Sequence, residues 1–190
     1  MAPCSETKHF SGRAQSFTEL RHVAKIHKSP QIINWKRVYE EDETSGCFVA
    51  GYENDKYWGK SDVYLARIFY KGSIYPGKFS SRTYPRASFA INGAENFAPD
   101  FEVAQESNGV QWVPFSGKFS AEGLKMVIGG YERRRNNKYR IFYFARATFK
   151  TRRTNGDNVH CGKVWNDSLA SISYGVQERF FKEYEVLVRI

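Results

Sequence analysis

The chain has 190 residues, of which 41% are hydrophobic, 26% charged and 16% aromatic, and its formal net charge is +9. This length suits one domain, or two small ones sharing a core, and the composition excludes a chain that is disordered throughout. No apolar run approaches the roughly 20 residues of a membrane-spanning helix, and Cys4, Cys47 and Cys161 lack metal-ligand spacing, so they read as free thiols of a reducing compartment.

In chain order, residues 1–34 come first as a basic arm. Its opening, MAPCSETKHFSGRAQ, lacks the apolar stretch of a signal peptide. The expected location is therefore cytoplasmic, with export by a non-classical route as the alternative. Within the arm, AQSFTELRHVAKIHK (14–28) brings Phe17, Leu20, Val23, Ala24 and His27 near helical spacing, with Arg21, Lys25 and Lys28 elsewhere around the turn. A helix this short is marginal alone and gains from docking on its own domain.

From residue 35 onward the pattern is β, and it is written twice. CFVAGY, VYLARIFY, ASFAING and FEVA in the first copy match MVIGGY, YRIFYFARATF, ASISYG and YEVLVRI in the second. These runs are short, rich in Val, Ile, Tyr and Phe, and bounded by Gly, Asn, Pro or Asp. Trp35 aligns with Trp112, Gly51-Tyr52-Glu53 with Gly130-Tyr131-Glu132, Tyr64-x-Ala66-Arg67 with Tyr143-x-Ala145-Arg146, Gly77-Lys78 with Gly162-Lys163, and Glu95 with Glu178. The repeats are thus residues 35–103 and 112–190, with 104–111 as the joint, and the drifting offset places the largest insertion in TRRTNGDNVHC (151–161). Each unit alone makes a thin core, so the expected fold is all-β, with two pseudo-twofold repeats of antiparallel strands burying each other's apolar face. In the run 139–149 both faces carry large side chains, which predicts that both are covered.

The positive charge is concentrated. Between Tyr131 and Lys163 ten Lys or Arg oppose two acids, Glu132 and Asp157, which leaves +1 for the rest of the chain. Arg133, Arg134, Arg135, Lys138, Arg152 and Arg153 form a candidate basic patch for an anionic surface, nucleic acid or a protein partner, the arm being a second candidate; a solvated loop tip accounts for the charge equally well.

The ordered series Trp…Gly-Tyr-Glu…Tyr-x-Ala-Arg…Gly-Lys…Gly-x-x-Glu…Tyr-Glu-Val-Leu-Val, present across residues 35–190 with WVPFSGKFS in place, resembles the tandem DM-nine repeat family of invertebrate mannose-binding lectins, also found as the amino-terminal module of natterin-like proteins. The resemblance implies two intertwined repeats, a tendency to form homodimers, a role in innate immune recognition, and one sugar site per repeat. Carried onto this chain, that site is Glu53 with Lys78 and Glu132 with Lys163. Glu stands where the family pattern has Asp, and Asp55 competes for the role in the first repeat.

A carboxylate can accept from two neighbouring hydroxyls of a hexose while an ammonium donates to their lone pairs, and such charge-assisted bonds withstand competition from water. From adjacency alone, Tyr52 and Tyr131 are candidates to lie against a sugar face, and Arg67 and Arg146 to brace the carboxylates; Gly77 and Gly162 would make the turn that brings the lysines inward. The alternative is that each Glu–Lys pair is an exposed ion pair across a hairpin. No P-loop, nucleophile elbow or His-x-x-x-His is present, and equivalent environments give paired acids no reason to take different catalytic roles, so the expectation is a non-enzymatic protein without cofactor or metal. A lectin-like structural or interaction protein without sugar binding is the remaining alternative.

Overall fold

In the computed structural model, residues 33–40, 43–135 and 138–190 are described. The expected helix at 14–28, most of the arm and Cys4 lie outside them. Among the described residues the secondary structure is strand apart from short 3-10 turns such as Ser81–Thr83, and the strands run in two series of seven. The first series is β1 (Trp35–Lys36), β2 (Val49–Asp55), β3 (Gly59–Tyr70), β4 (Ser73–Phe79), β5 (Ala87–Ile91), β6 (Ala94–Ala98) and β7 (Phe101–Ala104). The second is β8 (Val110–Ser116), β9 (Ile128–Arg133), β10 (Tyr139–Lys150), β11 (Asp157–Val164), β12 (Ala170–Tyr174), β13 (Gln177–Phe181) and β14 (Glu183–Arg189).

Each repeat folds three successive strands into a meander, β2–β3–β4 and β9–β10–β11. The free edges of one meander pair with those of the other, β4 with β9 at Ile74↔Tyr131 and β11 with β2 at Val159↔Tyr52. These two seams close a six-stranded antiparallel barrel, which removes the open edges that each meander would otherwise expose. Gly51 and Gly130 sit at the seams, where a Cβ would fall on the carbonyl oxygen of Val159 or Ile74. The repeated Gly-Tyr-Glu therefore marks the place where the partner repeat's backbone comes too close for a side chain.

Outside the barrel, β7 extends β3 and carries β1, while β14 extends β10 and carries β8. The hairpins β5–β6 and β12–β13 join β4 and β11 at Lys78↔Ser88 and Lys163↔Ser171 and meet each other at Gln177↔Ala94. One apolar cluster is built chiefly from the first repeat around Phe79, Phe89 and Phe101, another from the second around Phe119, Tyr143 and Ile172. A third, with Ala50, Leu65, Phe144, Cys161 and Leu187, draws on both. In β10, Phe142 and Phe144 are buried on one face and Tyr143, Ala145 and Ala147 on the other, so both faces are covered as expected.

Several strands depart from the sequence reading. β4 (SIYPGKF) and β11 (DNVHCGKV) are strands where turns and a variable loop were expected, because Pro76, Gly77, Gly162 and the polar residues mask their periodicity. Gly77 and Gly162 make no turn; they are strand residues whose Cβ would collide with the carbonyl oxygens of Ser88 and Ser171. The insertion is a turn of 151–156, and the segment 157–161 belongs to β11.

Arg67 and Arg146 hold the outer strands to the barrel. Arg67 donates from Nε and Nη2 to Glu102 Oε2 at 2.8 and 2.6 Å, and its guanidinium lies 4.5 Å from the ring centroid of Trp35. Arg146 donates to both oxygens of Glu185 at 2.6 and 3.0 Å and to the Ala50 carbonyl at 3.1 Å, and lies 4.6 Å from Trp112. The recurring Trp, Arg and Glu are thus one unit used twice. The Arg67–Glu102 side chains are 6% and 10% exposed, against 23% and 31% for Arg146–Glu185. Glu102→Ala takes the carboxylate from a buried guanidinium and should cost about 3–5 kcal/mol, whereas Glu185→Ala, better hydrated, should cost about 1 kcal/mol. Urea denaturation of the two variants should show that order.

Candidate functional site

Lys78 and Lys163 are the centre of the candidate site, and each reaches into the opposite repeat. Lys78 Nζ donates to Glu95 Oε1 at 3.1 Å, to Ser173 Oγ at 2.8 Å and to the Ser173 carbonyl. Lys163 Nζ donates to Glu178 Oε1 and Ser171 Oγ, both at 3.1 Å, and to the Ala90 carbonyl. The two glutamates complete the exchange, since Glu95 Oε2 accepts from Val176 N at 3.1 Å and Glu178 Oε2 from Gly93 N at 2.8 Å. Ser88 and Ser173 hydroxyls meet between them at 3.3 Å.

These lysines are 7% and 3% exposed, so the alternative of an exposed hairpin ion pair does not describe them. Burial pushes Lys163 down, and Glu178 opposes that push. Burial also pushes Glu178 up, but Lys163, the Ser171 hydroxyl and the Gly93 N–H outweigh it and hold the carboxyl below its ordinary range. The partner of each lysine is Glu95 or Glu178, the pair that recurs between the repeats but was given no place in the candidate site. Their i+17 and i+15 positions across a hairpin were the available signal.

Glu53 and Glu132 stand above these pairs, nearer the surface. Glu53 Oε2 lies 3.8 Å from Arg82 Nη1. Burial raises its pKa, against the pull of Arg82 and Lys78, while Asp55 and Glu95 add to the rise. Glu132 Oε2 lies 2.9 Å from Arg134 Nη2 and 3.6 Å from Arg140 Nη1, and its Oε1 accepts from the Tyr75 hydroxyl at 3.5 Å. Glu132 in turn raises Lys163 through its charge. Each repeat therefore has a carboxylate with an arginine at its side, in the field of a buried lysine. Arg82 and Arg140 were missed because neither has a counterpart in the other repeat.

Other expectations do not survive the geometry. Tyr131 is fully buried under Tyr139 and cannot face a sugar, and Tyr52 lies under the Lys60 ammonium, 4.3 Å from its ring centroid. Arg67 and Arg146 brace Glu102 and Glu185 rather than Glu53 and Glu132, because they point to the outer strands. Asp55 does not compete with Glu53; its Oδ1 caps the turn by accepting from Tyr57 N and Trp58 N. The basic residues form two groups and not one patch. Arg133, Arg134, Arg135 and Lys138 precede β10 and Arg152 and Arg153 follow it, so a strand from Tyr139 to Lys150 separates them, on the order of 30–40 Å at strand rise.

His160, expected in a variable loop, is 1% exposed within β11. Its ring packs against Phe149 and Tyr174, with centroids at 5.3 and 5.1 Å, and neither ring nitrogen has a hydrogen-bond partner among the described residues. Burial, reinforced by Lys78 and Arg179, holds its pKa well below the ordinary value of 6.5.

The model of the DM9 repeat matches residues 57–157, more than half of the chain. The chain belongs to the DM9 repeat family. Membership supports a carbohydrate-binding kind of function. The crystal structure of the nematode sperm cell motility protein MFP2B is similar in fold, with a TM-score of 0.54 at 15% identity over 85% of this chain and 47% of that one, so this chain spans about half the length of that protein. No curated protein matches the chain. No helix among the described residues is long and apolar enough to cross a membrane.

Because folded His160 resists protonation, the unfolded chain binds one proton more below pH of about 6.5, and stability should fall there as pH drops, by up to about 1.4 kcal/mol per pH unit. His160→Phe, which keeps the ring contacts, should flatten that part of the profile in urea titrations between about pH 7.5 and 5.5.

Proposed function

We propose that this DM9 repeat protein is a non-enzymatic, mannose-type lectin with one glycan site per repeat, acting in innate immune recognition. The observation that carries the reading is the doubled arrangement of a part-buried carboxylate, Glu53 or Glu132, beside an arginine and in the field of a buried Lys–Glu pair. Vicinal hydroxyls of a pyranose donate to the carboxylate and accept from the arginine. Lys78 and Lys163 act chiefly from beneath, because their three protons are already directed at protein oxygens. The second site, with Arg134 and Arg140 about Glu132, is the more cationic of the two.

One such site binds weakly, with Kd on the order of 0.1–1 mM, and two sites, or four in a homodimer, raise the apparent affinity for a glycan surface by about 10²–10⁴. Glu53→Gln and Glu132→Gln should each reduce retention on immobilised mannose by about tenfold, and the double variant should elute with the void. Undiminished retention of the double variant sinks the assignment. In the Glu132→Gln background, binding reports Glu53 alone. Its carboxylate is the binding form and its pKa is raised, so affinity should be lost on acidification while an ordinary glutamate, near 4.5, is still charged. Microcalorimetry across that pH range checks this.

The saturation of both lysines favours a second reading, a lectin-like interaction protein that has given up sugar. Silence of the unmodified protein on a glycan array, together with retention of its fold, selects it.

A further inference from the structure

The β2–β3 hairpin ends in Asp55-Lys56-Tyr57-Trp58-Gly59, and Tyr57 and Trp58 are 84% and 78% exposed, more than any other large apolar side chain among the described residues. The turn that carries them is firmly built. Asp55 Oδ1 accepts from Tyr57 N at 2.7 Å and Trp58 N at 3.0 Å. Gly59 takes a φ of +72°, and Arg82 Nη2 donates to the carbonyls of Trp58 and Gly59 at 3.1 and 2.9 Å. Nothing in the barrel requires two large rings at this tip, and among the described residues nothing covers them.

The β10–β11 turn lies alongside. Asp55 bridges to Thr154, Lys56 N donates to the Arg153 carbonyl at 3.1 Å, and Asn155 N donates to the Asn54 carbonyl at 3.0 Å. That pairing brings exposed Arg152 and Arg153 to the same end of the barrel as exposed Lys56 and Lys60. The acid of the tip, Asp55, is engaged by the two backbone amides and by the charges of Arg82 and Arg153.

We propose that this end of the barrel docks on an anionic lipid membrane, with Tyr57 and Trp58 entering the headgroup layer and Lys56, Lys60, Arg152 and Arg153 meeting acidic headgroups. Tyr and Trp have an apolar body and a polar handle and are the residues that membrane–water interfaces favour. Each base held near an anionic leaflet adds about fivefold in affinity. The occupant is lipid rather than a nucleic acid strand, because the rings are consecutive residues on a projecting turn. A strand of bases needs platforms spaced along a groove. The opposite end carries Arg133, Arg134, Arg135 and Lys138, but its aromatic, Tyr139, packs edge-on against Tyr131. That end is the internal control for charge without a projecting ring, Tyr139 being 37% exposed.

The full-length protein is sedimented with vesicles of phosphatidylcholine, with and without phosphatidylserine, while tryptophan emission is recorded. Binding should require phosphatidylserine, weaken with salt, and shift the emission to the blue. Trp58→Ala and Tyr57→Ala should each weaken it by about tenfold, and Lys56→Glu with Arg152→Glu by more, all without change in melting temperature because these exposed side chains touch little of the core. Arg135→Glu with Lys138→Glu, two exposed residues of the opposite end, should leave binding within about twofold. Free mannose should not compete, which separates this surface from the proposed sugar sites. Absence of binding, binding indifferent to Tyr57 and Trp58, loss of binding in mannose, or displacement by a single-stranded oligonucleotide as effective as lipid would each overturn the proposal.

Discussion

Each meander of three strands ends in two edges whose backbone amides and carbonyls need partners, and in this fold the other repeat supplies them. The seams at Ile74↔Tyr131 and Val159↔Tyr52 satisfy that need twice by the same means. They also demand glycine on one side, since Gly51 and Gly130 face carbonyl oxygens at a separation that admits no Cβ. Barrel closure, placement of the flanking hairpins and burial of Lys78 and Lys163 follow from it. Half of the chain would have neither a closed barrel nor a lid over its own lysine.

The same crossing explains why charged groups are tolerated so deep. Lys78 and Lys163 lose their water, but each gains a carboxylate, a serine hydroxyl and a carbonyl, and the carboxylates gain backbone amides from the opposite hairpin. A buried ion pair of this kind survives because its remaining lone pairs and protons are also used. Arg67 with Glu102 applies the rule at the outer strands, where Trp35 stacks on the guanidinium.

Much of the fold is legible in the sequence. The repeated Val, Ile, Tyr and Phe runs are strands, and the alternation in 139–149 correctly implied cover on both faces. β4 and β11 were hidden because the residues that seat them against neighbouring backbone, Gly77 and Gly162, look like turn residues in a sequence. At the site, the recurrence of Glu53, Lys78, Glu95 and their partners was visible, but not the pairing, because Lys78 meets Ser173 and Lys163 meets Ala90 across the whole repeat spacing. No local pattern encodes a contact of that kind. The basic residues differ from the sequence expectation for a related reason: they are near in sequence but not in space, because β10 runs between the two groups.

The exchanged lysines also bear on how the two halves can change with time. What lies under Glu53 is partly made of β12 and what lies under Glu132 is partly made of β5, so neither half can alter its foundation without disturbing its sibling. Arg82, Arg134 and Arg140 carry no such obligation. Ancestry is thus held in common below the surface and left private at the rim, and a duplicated gene of this design can diversify what it meets while keeping what it stands on.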